Sequence, residues 1–378
     1  MRHRWLKLAA TSLTGLGMAL VLASCSSSPS KPQAQALPAV SGSLAVSKVW
    51  TARLGEVTTP LQAVVLGERV VLASSQGLLA ELDGATGREA WRVSLNTPLV
   101  AGVGSDGKRH AVVTADNALV VVESGREIWR QRLSAQTFTA PLVAGERVFV
   151  QSADRSVLAF DGASGQRLWT LSRTADPLVL RQAGVLSAVG DTLLAGNGGR
   201  LSAIQPQNGQ VRWDALVGSS RGTNEVERLV DLVAGVSRLG STVCVRSFQT
   251  AVGCVDTTRG QVLWTRPSQG HQGLDGDDAR VYGTDSDSKL RAWLRADGQA
   301  VWTEESYRFR GLTAPRVWGP AIALGDEQGA IHMLSREQGK SLQRVTTDGT
   351  PVAMQPVLAG QTLVTVNRSG LVSGWRLD

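Results

Sequence analysis

The sequence contains eight copies of one pattern, a tight turn followed by a short strand, and seven of the copies keep a tryptophan at the same place in the strand. The clearest copy is Asp161-Gly162-Ala163-Ser164-Gly165, four residues before Trp169. The marker position is occupied in turn by Trp50, Trp91, Trp129, Trp169, Trp213, Trp264, Trp302 and Gln343. Successive markers lie 38 to 51 residues apart, which matches one four-stranded blade. The repeat therefore predicts an all-β protein, an eight-bladed β-propeller with four antiparallel strands per blade, and it excludes a two-layer domain.

Each repeat has room for four strands, and the third shows them best. Its predicted strands are residues 141–144, 147–151, 157–160 and 167–170. Alternation places Val148 and Val150 on one face, where a neighbouring blade can pack. A tryptophan on the fourth strand suits this packing, because its ring is large and its N–H can bond a nearby turn. We therefore interpret the tryptophans as joints between blades.

The two chain ends complete one blade together. The C-terminal region supplies three strands, at 355–358, 362–365 and 371–375, and the missing fourth is residues 48–54. Pairing the two ends closes the ring and removes two open sheet edges. The propeller is thus predicted to span residues 48–378. The pattern does not explain the loss of tryptophan at Gln343, or why Trp375 lies on a third strand.

The first 24 residues have the composition of a secretory signal, with three cations before an apolar stretch from Leu8 to Ala23. The Leu-Ala-Ser-Cys sequence at 22–25 resembles the lipobox of bacterial lipoproteins, in which the cysteine is lipidated and becomes the N-terminus. The alternative is an ordinary signal peptide with an incidental cysteine. We expect a signal peptide at 1–24, and a lipidated Cys25 with a flexible tether at 25–47. Ser26 in place of aspartate implies, by resemblance, the outer membrane and its periplasmic face.

The charge pattern does not favour nucleic acid as a partner. The formal charge of +7 includes three cations of the signal, which leaves 7 − 3 = +4 for the mature chain. No run of Lys and Arg concentrates this excess.

Two cysteines remain besides Cys25. Cys244 and Cys254 fall on two predicted strands of one hairpin, and they stand opposite each other if residues 248–250 form its loop. An oxidising periplasm then favours a cross-strand disulfide. A shift of one residue in the strand register would separate them.

Two neighbouring connections between blades are longer than the others. Trp169 to Leu186 spans 17 residues and Trp213 to Val236 spans 23, whereas most span 7 to 13. They carry aliphatic residues beside charges, in residues 177–181 and 224–231. Such a patch is typical of a protein-binding surface; alternatively, the leucines fold inward and cap their own blades. Residues 307–310, Tyr-Arg-Phe-Arg, are a weaker candidate.

Catalytic chemistry finds little support in the sequence. The four histidines are scattered over different repeats without metal-ligand spacing. The acidic residues at 275–278 and 285–287 fit solvated turns better than a calcium loop. No nucleophile elbow or phosphate-binding glycine loop occurs. We expect no catalytic residue, no metal and no cofactor.

At this point the residues resemble a known family. The Gly-x-x-x-Trp repeats are similar to those of pyrroloquinoline-quinone-type eight-bladed propellers. Together with the lipobox and the tether they resemble the BamB family, lipoproteins of the outer-membrane β-barrel assembly machinery. Residues 178–181, Leu-Val-Leu-Arg, and residues 225–231, Glu-Val-Glu-Arg-Leu-Val-Asp, are similar to segments of that family.

The resemblance implies a non-enzymatic scaffold that binds a periplasmic POTRA domain of the barrel-forming subunit and assists the delivery of unfolded outer-membrane proteins. The implied partner-binding residues are Leu178, Leu180, Arg181, Glu225, Arg228 and Asp231. One departure is visible: the family motif continues Asp-x-Asp, but Leu232 and Val233 follow Asp231 here.

The alternative is a periplasmic quinone-dependent dehydrogenase on the same fold. Such enzymes resemble this chain in their tryptophan repeats, but they have longer chains and a vicinal cysteine pair, and this sequence has no such pair. Because a fold does not determine function, the preference for a scaffold depends on these missing residues.

Overall fold

The computed structural model describes residues 32–173, 178–219 and 229–378, and every regular element in these ranges is a β-strand. The strands form eight four-stranded antiparallel sheets. In seven of them the four strands follow one another along the chain, and in the eighth the order is β1-β32-β31-β30. The predicted eight-bladed β-propeller is confirmed. In these ranges the structure has no helix that is long and apolar enough to cross a membrane.

The strands are numbered in chain order. Strand β1 (Val46–Arg53) belongs to blade eight. Blade one contains β2 (Val64–Leu66), β3 (Arg69–Ala73), β4 (Leu78–Asp83) and β5 (Glu89–Ser94). Blade two contains β6 (Gly104–Ser105), β7 (Arg109–Val113), β8 (Ala118–Glu123) and β9 (Arg126–Arg132). Blade three contains β10 (Leu142–Ala144), β11 (Arg147–Gln151), β12 (Val157–Asp161) and β13 (Arg167–Leu171). Blade four contains β14 (Leu186–Val189), β15 (Thr192–Asn197), β16 (Arg200–Ile204) and β17 (Val211–Leu216).

Blade five contains β18 (Leu232–Leu239), β19 (Thr242–Ser247), β20 (Ala251–Asp256) and β21 (Gln261–Pro267). Blade six contains β22 (Leu274–Gly276), β23 (Arg280–Thr284), β24 (Leu290–Leu294) and β25 (Ala300–Glu304). Blade seven contains β26 (Arg316–Trp318), β27 (Ala321–Gly325), β28 (Ala330–Ser335) and β29 (Ser341–Thr346). Blade eight contains β30 (Val357–Ala359), β31 (Thr362–Val366) and β32 (Leu371–Leu377), and β1 completes it.

Ring closure follows the prediction closely. Strand β1 pairs antiparallel with β32, from Val46 opposite Leu377 to Arg53 opposite Leu371. The four strands of blade three also lie within two residues of their predicted bounds. The bounds within blade three follow from turns that contain glycine or aspartate, which the sequence displays directly.

The core lies between the blades, and each middle strand is buried on both of its faces. In β11, Val148 and Val150 pack toward blade two, whereas Phe149 packs toward blade four. All three side chains are at most 2% exposed. A blade is therefore a layer between two others, which explains why its middle strands are apolar at nearly every position.

The repeated tryptophans join each blade to the next one. Trp129, on the fourth strand of blade two, donates its Nε1–H to the carbonyl of Gly162 in blade three at 2.9 Å. The same bond to a turn of the following blade is made by Trp50 to Gly84, Trp169 to Pro206, Trp264 to Arg295 and Trp302 to Arg336. A buried indole N–H needs such a partner. The predicted role as a joint between blades is thereby confirmed.

The glycine of each repeat contacts the tryptophan of the preceding blade. Gly298 has φ +72°, and a Cβ added to it would lie 2.4 Å from the ring of Trp264. The same arrangement joins Gly87 to Trp50, Gly165 to Trp129, Gly209 to Trp169, Gly260 to Trp213 and Gly339 to Trp302. Glycine is required both for the left-handed backbone and for the close approach of the ring. The motif thus couples two neighbouring blades.

Ring closure explains the loss of tryptophan at residue 343, and packing between blades seven and eight explains Trp375. Blade eight takes its fourth strand from the N-terminus, so no turn joins β32 to β1, and a tryptophan at 343 would have no turn to bond. Gln343 instead donates from Nε2 to the carbonyl of Leu44 at 3.0 Å. Trp375 is 3% exposed in the cluster between blades seven and eight. Its Nε1–H donates to Thr365 Oγ1 at 2.9 Å.

The boundary predicted between tether and propeller differs from the structure. Strand β1 begins at Val46, two residues before the predicted start, and residues 35–44 contact blade seven. Leu37 and Leu44 pack against apolar clusters of the ring. The predicted flexible tether at 25–47 therefore does not extend to Ser47. The Ser, Pro, Ala and Gln composition concealed these contacts, because most of them use backbone carbonyls.

Candidate functional site

The two ends of the ring carry different connections. Chain segments that lead from one blade to the next lie at one end, together with the turns between second and third strands; we name this end the loop face. The remaining turns lie at the opposite end, the turn face. Both long connections belong to the loop face, since they follow β13 and β17.

The two long connections contact each other, as predicted from their order. Gly184 forms a β-bridge with Val233, and the N–H of Ala234 donates to the carbonyl of Ala183 at 2.9 Å. Strand β18 accordingly begins at Leu232, four residues before the predicted Val236. We name residues 178–184 and 229–234 together the paired-loop surface.

The aliphatic side chains of this surface point in different directions. Leu178 is 37% exposed, a large value for a leucine. Leu180 is half-buried and lines a small cavity of about 50 Å³ together with Val179 and Arg155. Leu178 is therefore exposed to solvent, whereas Leu180 is turned partly into its own loop.

Arg181 adds a positive charge beside the exposed leucine. Its side chain is exposed, and its guanidinium carbon lies 5.8 Å from the ring centroid of Phe138. A guanidinium held over an aromatic ring keeps its donors free for a second contact. Leu178 and Arg181 thus present an apolar anchor and a cation within four residues of chain.

Asp231 braces the paired-loop surface from below. One carboxylate oxygen, Oδ2, accepts the backbone N–H of Leu180 at 3.0 Å, and the other accepts a bond from Arg155. The two side chains of this ion pair are only 10% and 16% exposed. Arg155 also donates to the carbonyl of Leu178 at 3.4 Å. Asp231 therefore positions residues 178–180.

The departure from the family motif has a structural reason. Leu232 and Val233 are 2% and 1% exposed, and Leu232 belongs to the apolar cluster between blades four and five. A carboxylate at residue 233 would lie buried at the start of β18 without a solvent contact, which is unfavourable unless it is paired. A role that needs a second carboxylate has no counterpart at this position.

Several predicted site residues lie outside the described ranges, namely Cys25, Glu225 and Arg228. Two contributors were missed: Arg155, in the turn between β11 and β12, and Phe138, in the connection before β10. Arg155 adopts φ +63°. The sequence does not predict this conformation, because the reason for an arginine in the turn is its ion pair with Asp231, which precedes blade five.

A cavity of about 570 Å³ with both apolar and polar lining residues occupies the loop-face end of the central channel. Arg181, Gln182, His271 and Glu327 are among its lining residues. Gln182 donates from Nε2 to the carbonyl of His271. The first long connection therefore contacts the segment between blades five and six. Burial lowers the pKa of His271, and Arg246 adds to the effect. Within the described ranges no cluster of three His, Cys, Asp or Glu residues could hold a metal ion.

The weaker candidate at residues 307–310 is not an open surface. Tyr307 is 1% exposed and Arg310 is 8% exposed. Arg308 pairs with Asp287 at 3.2 Å, and its guanidinium carbon lies 4.9 Å from the ring centroid of Phe309. These residues are held within the junction of blades six and seven.

The hairpin of blade five contains a disulfide. Cys244 on β19 and Cys254 on β20 are direct cross-strand partners, and their sulfur atoms are bonded. The loop between the strands consists of residues 248–250, as the sequence indicated. Both cysteines are fully buried between blades five and six.

Comparisons with known proteins agree on one family. A family model described as outer membrane protein assembly factor BamB matches residues 40–101 and 75–304. A BamB from Burkholderia pseudomallei is 35% identical over 362 residues, which cover 94% of this chain and 95% of that protein. The crystal structure of BamB from Moraxella catarrhalis superposes with a TM-score of 0.80 at 23% identity, covering 88% of this chain and 100% of that one.

A quinone enzyme shares the fold more distantly. The quinohemoprotein alcohol dehydrogenase of Comamonas testosteroni gives a TM-score of 0.67 at 12% identity, over 87% of this chain and 76% of that one. At this identity the likeness concerns the fold alone.

Proposed function

Because this chain belongs to the BamB family of outer membrane protein assembly factors, we propose that it acts by docking onto a periplasmic POTRA domain of the barrel-forming subunit through the paired-loop surface. The chain is a non-enzymatic scaffold in this proposal. Its curated relatives are named as assembly factors, whereas the dehydrogenase shares only the fold. Addition of pyrroloquinoline quinone and calcium should therefore give no dye reduction.

The observation that carries this proposal is the contact between the two long connections. Hydrogen bonds and a buried ion pair hold residues 178–180 in place before any partner arrives. Preorganised loops lose less entropy on binding than free loops do. Arginine is enriched in binding hot spots, and the exposed Leu178 adds apolar area close to Arg181.

We further propose that lipidation of Cys25 anchors the chain at the periplasmic face of the outer membrane. This proposal depends on the lipobox-like sequence, because Cys25 lies outside the described ranges. A substitution of Cys25 by alanine should release the protein from the membrane fraction without changing its fold.

Contact with unfolded outer-membrane proteins is a second proposal, supported by the outer strands. Outside blade seven, where residues 35–44 lie against β29, the outer edge of each fourth strand pairs with no other strand in the described ranges. Several of these strands carry an exposed apolar residue just before the tryptophan, such as Ile128, Leu168 and Leu263. An extended segment could add to such an edge through backbone hydrogen bonds. Photo-crosslinkers at residues 128 and 168 should then capture substrate chains in cells.

The docking proposal is tested by Leu178→Ala and Arg181→Ala. Each variant should weaken binding to purified POTRA domains by about tenfold or more, because truncated hot-spot residues cost about 1–2 kcal/mol or more. Leu239→Ala is the matched control: Leu239 is 46% exposed but ends β18 at the turn face. Thermal unfolding should stay unchanged in all three. Wild-type affinity in the Leu178, Leu180 and Arg181 triple alanine variant would exclude this surface.

A further inference from the structure

The N-terminal segment before β1 is fastened along the outside of blade seven. The N–H of Gln35 donates to the carbonyl of Arg308 at 3.0 Å, and the N–H of Ser41 donates to the carbonyl of Ser341 at 3.1 Å. Gln343 Nε2 donates to the carbonyl of Leu44 at 3.0 Å. We name residues 35–44 the strap.

Charged side chains of the ring hold the strap at its first half. Arg344 donates from its guanidinium to the carbonyl of Pro38 at 2.6 Å. Arg310 donates to the carbonyl of Gln35 at 3.2 Å while its other nitrogens bond Asp326 Oδ2 at 2.8 and 3.0 Å. Because Asp326 is fully buried, Arg310 is fixed before it meets the strap. Charge-assisted bonds of this kind are about twice as strong as neutral ones.

The strap runs from the loop face to the turn face. Its first residue contacts the connection that contains Arg308, which lies at the loop face, and Ser41 contacts Ser341, where β29 begins at the turn face. The strap therefore lies antiparallel to β29 on the open edge of blade seven. Gly42 permits this approach, since a Cβ there would lie 2.8 Å from the Cα of Leu342.

We propose that the strap makes the membrane anchor leave the ring at the loop face, so that the paired-loop surface is turned toward the membrane. This inference rests on the proposed lipidation of Cys25. Without the strap, the chain would leave at the turn face, where β1 begins. Residues 307–310 then have a role that the docking proposal did not give them, since their backbone and Arg310 receive the first residue of the strap.

The strap also sets how far the ring can move from the membrane. The ten residues from Cys25 to Gln35 span at most about 33–36 Å when fully extended. The 21 residues from Cys25 to Val46 would span at most about 70–75 Å. Fastening residues 35–44 therefore halves the reach of the anchor and confines a docked partner domain to a layer next to the bilayer.

The orientation can be measured with two fluorescent labels on blade one. Gln76→Cys places a dye at the loop face and Arg88→Cys places one at the turn face, and both residues are exposed. With energy acceptors in the lipid, the dye at 76 should transfer about twofold more efficiently than the dye at 88, because a strand of six residues separates the two faces by roughly 20 Å. Equal or reversed transfer would overturn the inference.

Gly42→Val tests whether the strap causes the difference. The added side chain should displace the strap from β29 and abolish the preference for residue 76. Amide exchange at Ser41 should also become about tenfold faster or more, since its hydrogen bond opens. Ser43→Val, an exposed position in the same segment, should change neither readout. Unchanged exchange and unchanged transfer in Gly42→Val would contradict a role for the strap.

A different membrane anchor tests the strap inference independently of the proposed lipidation of Cys25. The same measurements are made on the mature chain with a hexahistidine tag in place of the lipidated cysteine, bound to vesicles with nickel-chelating lipid. If transfer from residue 76 exceeds transfer from residue 88 only with the hexahistidine anchor, the strap inference holds and the proposed lipidation of Cys25 is wrong. No difference in this arm would overturn the strap inference whatever the lipid does.

Discussion

The backbone N–H of Leu180 donates to Asp231 Oδ2 at 3.0 Å, across 51 residues of sequence. This one bond joins the connection before blade four to the connection before blade five. It explains why a carboxylate that is only 16% exposed can influence a binding surface. Asp231 should therefore affect partner binding indirectly, because it holds residues 178–180 in position.

Asp231→Ala should weaken binding to POTRA domains and also destabilise the fold. The change leaves Arg155 half-buried without its counter-charge and removes the acceptor of Leu180. We expect about a tenfold loss in affinity and a decrease of about 1–3 kcal/mol in the free energy of unfolding. Titration by interferometry and urea denaturation measure the two effects.

Asp191→Ala provides the control for this experiment. Asp191 also pairs with an arginine, Arg212, but its side chain is 76% exposed. Exposed pairs contribute little to stability, so both measurements should remain at wild-type values. If Asp231→Ala behaved like Asp191→Ala, the brace would have no function.

Gly298→Ala should be much more destabilising than Gly240→Ala. Both glycines have positive φ, +72° and +57°, so both variants carry a similar backbone strain of about 1 kcal/mol. Only at Gly298 does the new Cβ meet an indole ring, at 2.4 Å from Trp264, whereas nothing lies within 4 Å at Gly240. Overpacking adds about 1–3 kcal/mol. Denaturant midpoints should separate the two variants, and equal midpoints would show that the glycine–tryptophan contact is not tight.

The ring could be predicted from the sequence because its signals are local. A glycine turn, a tryptophan strand or both recur in every blade, and these local signals predict the number of sheets and most strand bounds. The hydrogen bond of Trp129 and the ring contact of Gly298, however, reach into neighbouring blades. The sequence displayed the motif without showing that the glycine contacts the preceding blade and the tryptophan bonds the following one.

The candidate site was predictable only in part. Loop length and order showed that the two long connections are neighbours, and their composition pointed to Leu178 and Arg181. Arg155 was missed because it becomes relevant only when Asp231 folds above it. The strap was missed for a related reason: residues 35–44 show no regular apolar pattern, and the ring side chains that hold them come from blade seven, about 300 residues away.

The disulfide should contribute substantially to stability. Cys244 and Cys254 close a short hairpin loop, for which the loss of entropy in the unfolded chain corresponds to about 2–4 kcal/mol. The double variant Cys244→Ala, Cys254→Ala should lower the free energy of unfolding by about this amount. Periplasm-derived wild-type protein should also gain two daltons in intact mass when reduced under denaturing conditions, since two thiols form. Free thiols in the untreated protein would contradict the bond.

Acidification should destabilise the protein through His332. Its Nε2 bonds Asp326 Oδ2 at 2.9 Å, and its Nδ1 is buried without a hydrogen-bond partner in the described ranges. Burial lowers the pKa of His332 from its ordinary value of 6.5, and this outweighs the attraction of Asp326; Arg344 and Arg310 lower it further. The unfolded chain thus takes up a proton near pH 6.5 that the folded chain resists. Stability is full above that pH and falls below it.

The change with pH is specific enough to assign to one residue. One proton corresponds to a slope of at most about 1.4 kcal/mol per pH unit below 6.5. His332→Gln keeps a donor for Asp326 but cannot titrate, so its urea midpoint should fall less than that of the wild type between pH 7 and pH 5. Burial also lowers the pKa values of His110 and His271, but both proteins contain them, so their effects cancel. Parallel curves for the two proteins would show that His332 does not carry the pH dependence.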